Sequence, residues 1–170
     1  DEVWARATAV DTFTQQEPNL GQPATERTEV RIVYDARTIY IAVHAYQAGG
    51  VTAAAEAPGA GAGDHAQHTG GVVATEMRRD SDRLFDEDNF QVILDTFKDS
   101  RNGYMFVTTP LGAKLEQQIF DEGEGGGRGT TSNVNRNWDG VWDSAARITE
   151  DGWTAEMAIP TNTLRFRPTD

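Results

Sequence analysis

Apolar and polar side chains alternate along several short segments of this chain, and this two-residue period predicts β-strands. The clearest segments are residues 29–35 and 39–45, which a tight turn joins. Val30, Ile32 and Tyr34 share one face of the first segment. Further strands are predicted at residues 89–95, 104–108, 113–119, 142–148 and 153–159, with turn signals at residues 110–112 and 150–152.

Helical patterns are confined to residues 2–7 and 80–85, so the strands are not interleaved with the crossover helices that a parallel sheet requires. The pattern therefore favours an all-β fold, an antiparallel β-sandwich, with residues 1–170 as a single domain. A closed barrel is the alternative, because its strands also alternate between two faces.

Two segments lack an apolar period. Residues 47–74 are rich in Ala and Gly and are predicted to form a long loop, because they bury too little surface to offset the entropy lost on ordering. Residues 122–136 are Gly-rich and are predicted to form a loop that leads into Trp138. Long loops at the ends of a sandwich often carry function.

The charge balance excludes one class of partner. Lys and Arg number 15 and Asp and Glu number 27, which gives a net charge of −12. Such a chain repels a phosphate backbone, so nucleic acid is not an expected partner. Cysteine is absent, which excludes disulfides and thiolate metal sites.

Trp138 and Trp142 are candidate ligand contacts, because an aromatic ring on a loop can stack on the C–H face of a sugar. Trp142 begins a predicted strand, where a core position is more typical of a large aromatic residue. Trp138 lies nearer the loop, and the sequence leaves both roles open for it.

Carboxylates are concentrated in residues 80–89, which contain Asp80, Asp82, Asp86, Glu87 and Asp88. Hard oxygen ligands of this kind suit Ca²⁺, although the spacing lacks the Gly and Glu of an EF-hand loop, and a solvated acidic turn is the simpler interpretation. His65 and His68 offer two imidazoles, but no third ligand lies nearby in the sequence. Ca²⁺ is therefore the one cofactor that the sequence suggests, without requiring it.

Arg78 and Arg79 can bond either sugar hydroxyls or the neighbouring acids, and pairing with acids is the more common role. A glycosidase needs two carboxylates about 5–10 Å apart. Asp95, Glu116 and Glu156 lie on predicted strands, but nothing in the sequence selects a pair.

Taken in order, several segments resemble the family 9 carbohydrate-binding modules. They are DEVW at residues 1–4, TEVRIVYD at 28–35, IYIAV at 39–43, DNFQVILD at 88–95 and GWTAEMAIP at 152–160, followed by Leu164. The resemblance covers most of the chain outside residues 47–74. It implies a β-sandwich that begins midway through the family's opening motif and lacks the closing strands. MRRDSD at residues 77–82 and WDGVW at 138–142 resemble more narrowly a bacterial subgroup in which this domain precedes an uncharacterised domain thought to form an outer-membrane barrel.

Members of this family hold a sugar between two tryptophans, with acidic and amide side chains on its hydroxyls and calcium in a structural role. The resemblance places the first aromatic residue at Phe85, the acid at Asp88 and the polar strand residue at Gln91, while the second tryptophan would lie beyond this chain. We therefore expect a non-catalytic carbohydrate-binding module whose site contains Phe85, Asp88, Gln91, Trp138 and Arg79.

The implied location is the bacterial periplasm, the outer membrane or the cell surface. Two alternatives stay open. In the first, the domain docks against the downstream membrane domain and binds no glycan. In the second, it is part of a glycoside hydrolase that acts in carbohydrate catabolism.

Overall fold

Alternating strands assemble into two antiparallel sheets in the computed structural model, which describes residues 2–47, 71–120 and 133–167. The helix α1 spans Glu2–Arg6, and 3₁₀ helices span Asp82–Phe85 and Thr161–Thr163. The strands are β1 (Thr28–Tyr34), β2 (Thr38–Tyr46), β3 (Phe90–Leu94), β4 (Gly103–Thr108), β5 (Lys114–Ile119), β6 (Val134–Asn135), β7 (Asp143–Thr149) and β8 (Gly152–Pro160).

The first sheet has the strand order β1-β2-β8-β7, and the second sheet has the order β3-β4-β5-β6. Every strand pairs with its neighbours in the antiparallel sense. The predicted antiparallel β-sandwich is therefore confirmed, and each predicted strand is present with its ends shifted by one residue or none. The short strand β6 was not predicted, because it lies within the Gly-rich segment 122–136.

The main core lies between the two sheets. It contains Val30, Ile41, Val43, Met157 and Ile159 from the first sheet, Tyr104 and Phe106 from the second, and Trp142 and Leu164 from the connecting segments. Burial of each such side chain contributes about 1.5–3 kcal/mol. The core interpretation of Trp142 is confirmed, since only 2% of its surface is exposed.

The outer face of the second sheet is covered as well. Leu84, from the 3₁₀ helix Asp82–Phe85, packs there with Met105, Val107 and Leu115. Because both of its faces are covered, β4 is buried along its whole length. This central strand therefore separates two apolar clusters, and the candidate site residues are divided between the two faces of the second sheet.

Burial along the chain departs from the simple alternation in two places. Ile32 is 50% exposed and Tyr34 is 82% exposed, although both share a face with the buried Val30. The reason is that β1 is an edge strand of the first sheet, and the main core reaches only its Val30 end. Conversely, Val72 lies in the segment predicted to be an open loop, yet it is buried against Trp153. Residues 48–70 of that segment lie outside the described residues.

Within the described ranges, no helix is long and apolar enough to cross a membrane.

Candidate functional site

The two aromatic residues of the predicted site lie on opposite faces of the second sheet. Phe85 packs on the cluster that contains Met105. Trp138 packs against the inter-sheet core, where its ring centroid lies 4.7 Å from that of Tyr104 and 5.8 Å from that of Phe106. Successive residues of β4 point to opposite faces. Phe85 and Trp138 therefore do not line one cleft, which corrects the expectation of a shared aromatic platform.

Gly140 explains why Trp138 can turn inward. A Cβ atom at residue 140 would lie 2.8 Å from Cη2 of the Trp138 indole, closer than van der Waals contact allows. The absence of a side chain at Gly140 lets the indole lie against the backbone. Trp138 consequently helps to close the core, and this structural role competes with any role in stacking on a ligand.

Arg79 belongs to a polar network that reaches from the surface to the buried Glu116 on the inner face of the second sheet. Its Nη2 donates to Oε1 of Glu116, to Oδ1 of Asp139 at 2.6 Å and to the carbonyl of Gly140 at 3.3 Å. Glu116 also accepts from the indole Nε1 of Trp142 at 2.9 Å and from the Gly140 N–H at 3.2 Å. The hydrogen bond to Glu116 is the main cause that raises the pKa of Arg79. Arg79 therefore stabilises the loop that carries the two tryptophans.

Asp88 and Gln91 lie at the Phe85 corner of the second sheet. Oδ2 of Asp88 accepts from the Val73 N–H at 2.7 Å, and the Asp88 N–H donates to the Val73 carbonyl at 2.9 Å. The exposed Gln91 donates from Nε2 to Oδ1 of Asn89 at 2.8 Å. Asp88 thus attaches residues 71–76 to the sheet. Gln91 pairs with Val107 and so shares with Phe85 the outer face of the second sheet, away from Trp138 and Arg79 on the inner face.

The acidic segment 80–89 is also used within the fold. Burial raises the pKa of Glu87, but hydrogen bonds from Glu76 N–H and from Thr75 outweigh this effect and lower it overall. Both carboxylate oxygens of Asp82 accept a hydrogen bond from Nη1 of Arg136, each at 2.8 Å. Among the described residues there is no group of three or more His, Cys, Asp or Glu side chains that could hold a metal ion. His65 and His68 lie outside the described residues.

The three carboxylates considered for hydrolysis are separated. Asp95 accepts N–H groups of the turn that follows β3, including that of Ser100 at 2.9 Å. Glu116 lies on the inner face of the second sheet, and Glu156 lies on the outer face of the first. No two of them face a common cleft, so the described structure assembles no glycosidase pair.

A groove lies on the outer face of the first sheet, a place that the sequence prediction missed. Its volume is about 530 Å³, within the usual range for small-molecule sites. The floor consists of small side chains on three adjacent strands of this sheet: Ala42 of β2, Thr154 of β8 and Ala145 of β7. Longer side chains surround this floor, so the depth of the groove follows directly from side-chain size.

Trp4 forms one wall of the groove. The helix α1 places it there, and its Nε1 donates to Oε1 of Glu156 at 2.8 Å. This hydrogen bond fixes the ring at one edge, and Trp4 belongs to none of the three apolar clusters. The indole therefore lines a cavity instead of filling the core, which is the arrangement that stacking on a sugar requires.

Charged side chains surround the rest of the groove. Arg31 and Glu29 line it from β1, His44 lies on β2, and Arg147 lies on β7. His44 stacks on Tyr46 with ring centroids 3.8 Å apart, and its Nε2 lies 3.3 Å from Oδ1 of Asp151. An aromatic wall, a small-residue floor and a polar rim can hold one or a few sugar rings.

One sequence signal could have found this groove. In β2, β7 and β8 the side chains opposite the core-facing ones are small or polar, including Ala42, Ala145 and Thr154, and the DEVW segment supplies a tryptophan near the chain start. What the sequence does not contain is the long-range pairing of β2 with β8, which places these residues side by side.

Comparison with known proteins shows similarity of fold. No family model matches the chain, and no curated protein matches it. A family 9 carbohydrate-binding module from Caldicellulosiruptor kristjanssonii, solved with cellotriose, has a TM-score of 0.52 at 11% identity over 94% of this chain and 59% of its own. The same kind of module from that organism, solved with glucose, has a TM-score of 0.53 at 11% identity over 100% and 64%.

A proposed carbohydrate-binding protein from Bacteroides uniformis ATCC 8492 has a TM-score of 0.56 at 13% identity, over 91% of this chain and 60% of its own. The chain therefore spans about three-fifths of the length of each of these three structures. At such low identity the similarity shows the fold alone, and that fold is the β-sandwich of carbohydrate-binding modules.

Proposed function

We propose that this domain binds carbohydrate without catalysis, in the groove on the outer face of the first sheet. The observation that carries the proposal is Trp4, an indole held by Glu156 along one side of a cavity with a small-residue floor. The resemblance of the sequence to family 9 modules supports the proposal, as do the similar folds that bind cellotriose and glucose.

The groove suits this function better than the residues that the resemblance selected. Arg79 and Asp88 already have hydrogen-bond partners within the fold, and Trp138 packs against the core. At the Phe85 corner, Gln91 is exposed, but its Nε2 already donates to Asn89. In the groove, an indole and several polar groups surround the same open volume.

Isothermal titration calorimetry with glucose and cellotriose tests the proposal. Truncation of a central aromatic contact typically costs about 2 kcal/mol or more, so Trp4→Ala is expected to weaken binding roughly thirtyfold. Tyr34→Ala is the matched control, because Tyr34 is an exposed aromatic residue of the same sheet that does not line the groove. Gln91→Ala reports on the Phe85 corner.

Loss of binding in Trp4→Ala, with Tyr34→Ala and Gln91→Ala unchanged, supports the groove. Loss in Gln91→Ala alone would move the site to the Phe85 corner. Absence of heat with a broad panel of neutral and acidic saccharides would refute carbohydrate binding. Thermal unfolding of each variant shows whether a loss of binding reflects loss of the fold.

Docking against a further part of the protein is the second candidate, and the exposed apolar side chains of β1 favour it. Ile32 and Tyr34 face the core side of the first sheet, yet much of their surface is open. This candidate predicts that hydrogen exchange at β1 slows in a longer chain that includes the following domain. An unchanged exchange rate there would contradict it.

We propose a location in the bacterial periplasm or at the outer membrane, where glycans of the envelope or of the surroundings are accessible. The support is the resemblance of residues 77–82 and 138–142 to the bacterial subgroup described above. Fractionation of the source cells, followed by immunodetection, tests this proposal. Recovery of the protein in the cytoplasmic fraction would contradict it.

A further inference from the structure

We propose that the groove selects saccharides that carry a carboxylate, such as uronic acid residues, and that Arg147 is the residue that binds this carboxylate. The inference rests on the proposed function, since it names the substrate class of the same groove. It is argued from which of the charged side chains around the Trp4 indole already have hydrogen-bond or ion-pair partners.

Arg147 lies on the far strand of the first sheet, where it lines the groove and is exposed. Its side chain forms no hydrogen bond or ion pair with any residue that the structure describes. A guanidinium group in this state offers a planar set of N–H donors that matches both oxygens of a carboxylate.

Arg31 faces Arg147 from the opposite side of the floor and is only weakly held. Its Nη2 lies 3.4 Å from Oε2 of Glu29, and its Nε is a buried donor without a hydrogen-bond partner in the described structure. A buried donor without an acceptor costs about 1–3 kcal/mol. A small rotation of the side chain toward a ligand oxygen would remove this cost.

The two acids of the groove are already engaged. Glu156 accepts the indole N–H of Trp4, and Glu29 receives Nη2 of Arg27. The Arg27 guanidinium partly compensates the charge of Glu29, and the neutral indole donor occupies one oxygen of Glu156, whereas Arg147 forms no ion pair with a described residue. The net charge of −12 repels anions at long range, but salt screens that repulsion beyond about 8–10 Å.

The spacing of the two arginines suits a ligand that lies across the strands. Arg31 pairs with Ala42, and Arg147 pairs with Thr154, so the arginines stand on the two edge strands of the first sheet. Three inter-strand intervals separate these strands, a distance of about 14 Å. A sugar stacked on Trp4 above the floor can direct a carboxylate to Arg147 and hydroxyls to Arg31.

The test compares ligands that differ only in the carboxylate: glucose with glucuronic acid, and cellotriose with cellotriose oxidised at C6. We expect the oxidised ligand to bind at least tenfold more tightly and to lose this advantage in Arg147→Gln and at high salt. Arg165→Gln is the matched control, because it removes the same charge from an exposed arginine outside the groove. Acetate is included as a carboxylate without a sugar ring.

Equal affinity for both members of each pair, with Arg147→Gln unchanged, would overturn the selectivity and leave the proposed function intact. The same loss in Arg165→Gln as in Arg147→Gln would also overturn it, because the effect would then be one of general charge. Acetate that competes as strongly as the oxidised sugar would show an anion site and refute the inference. Absence of binding by every saccharide would refute the proposed function itself.

Discussion

Replacement of Arg79 by alanine tests whether this arginine stabilises the fold or is available to a ligand. Glu116 is 2% exposed, and its carboxylate receives Arg79, the Trp142 indole and the Gly140 N–H. Removal of the guanidinium leaves a buried negative charge with two neutral donors. The loss of one partner from a buried ion pair costs about 3–5 kcal/mol.

Solvent reduces this cost at Arg79, because its side chain is 43% exposed and water can approach part of the vacated space. We therefore expect Arg79→Ala to lower the free energy of unfolding by about 2–3 kcal/mol. For a domain of this size, that loss corresponds to a decrease in Tm of roughly 5–10 °C. Urea unfolding followed by tryptophan fluorescence measures it.

Arg136→Ala is the matched control, because the Arg136 side chain is 42% exposed, close to the 43% of Arg79, but its ion-pair partner Asp82 is 63% exposed, so that pair lies at the surface. We expect a much smaller loss of stability from it. In a Glu116→Gln background, Arg79→Ala should cost little, since the buried charge is gone. A loss below about 0.5 kcal/mol for Arg79→Ala in the native background would refute this reasoning, because even a partly buried pair should exceed the value of an exposed one.

Three further results are expected. Hydrogen bonds from the Arg78 side chain hold the pKa of Glu76 at about 2, below its ordinary value of 4.5. The stability that this carboxylate contributes should therefore be present above pH 4.5 and decline as the pH falls toward 2. Glu76→Gln should flatten that part of the acid unfolding curve. Gly152→Ala should prevent normal folding, since its Cβ would lie 2.0 Å from the Ala45 carbonyl oxygen at φ +147°. Gly112→Ala, whose Cβ would make only an ordinary contact with the Ala146 nitrogen at 3.9 Å, should cost about 1–2 kcal/mol for its φ of +77°; equal costs measured by circular dichroism would contradict this. Phe106→Ala should destabilise the domain by about 3–5 kcal/mol, because Phe106 is fully buried between the sheets, and a loss under 1 kcal/mol in thermal unfolding would contradict the core assignment.

Much of the fold could be predicted because local alternation reports directly on a half-buried strand. β2 and β8 show this, since each carries a regular pattern over nine residues. β6 could not be predicted, because two residues in a Gly-rich segment show no period and pair only through tertiary contact with β5. The exposure of Tyr34 depends in the same way on the neighbours of an edge strand, which local sequence does not specify.

The candidate site was harder to predict for a related reason. Trp138 follows a Gly-rich loop, so the local sequence leaves both an exposed and a core position open for its ring, and contacts with Gly140 and Tyr104 place it against the core. Trp4 was passed over because it lies in a short helix remote in sequence from Glu156, its hydrogen-bond partner. A site built from side chains on separate strands becomes visible only when the pairing of those strands is known.

The indole N–H signals of the four tryptophans give the most direct test of the central claim. A ¹H–¹⁵N correlation spectrum, recorded during titration with oxidised cellotriose, monitors all four rings at once. Our account predicts that the signal of Trp4, which lines the groove, shifts progressively, while those of the buried Trp142 and Trp153 and of the core-packed Trp138 stay in place. A shift of Trp138 with Trp4 unchanged, or no shift in any of the four signals with any saccharide, would contradict it.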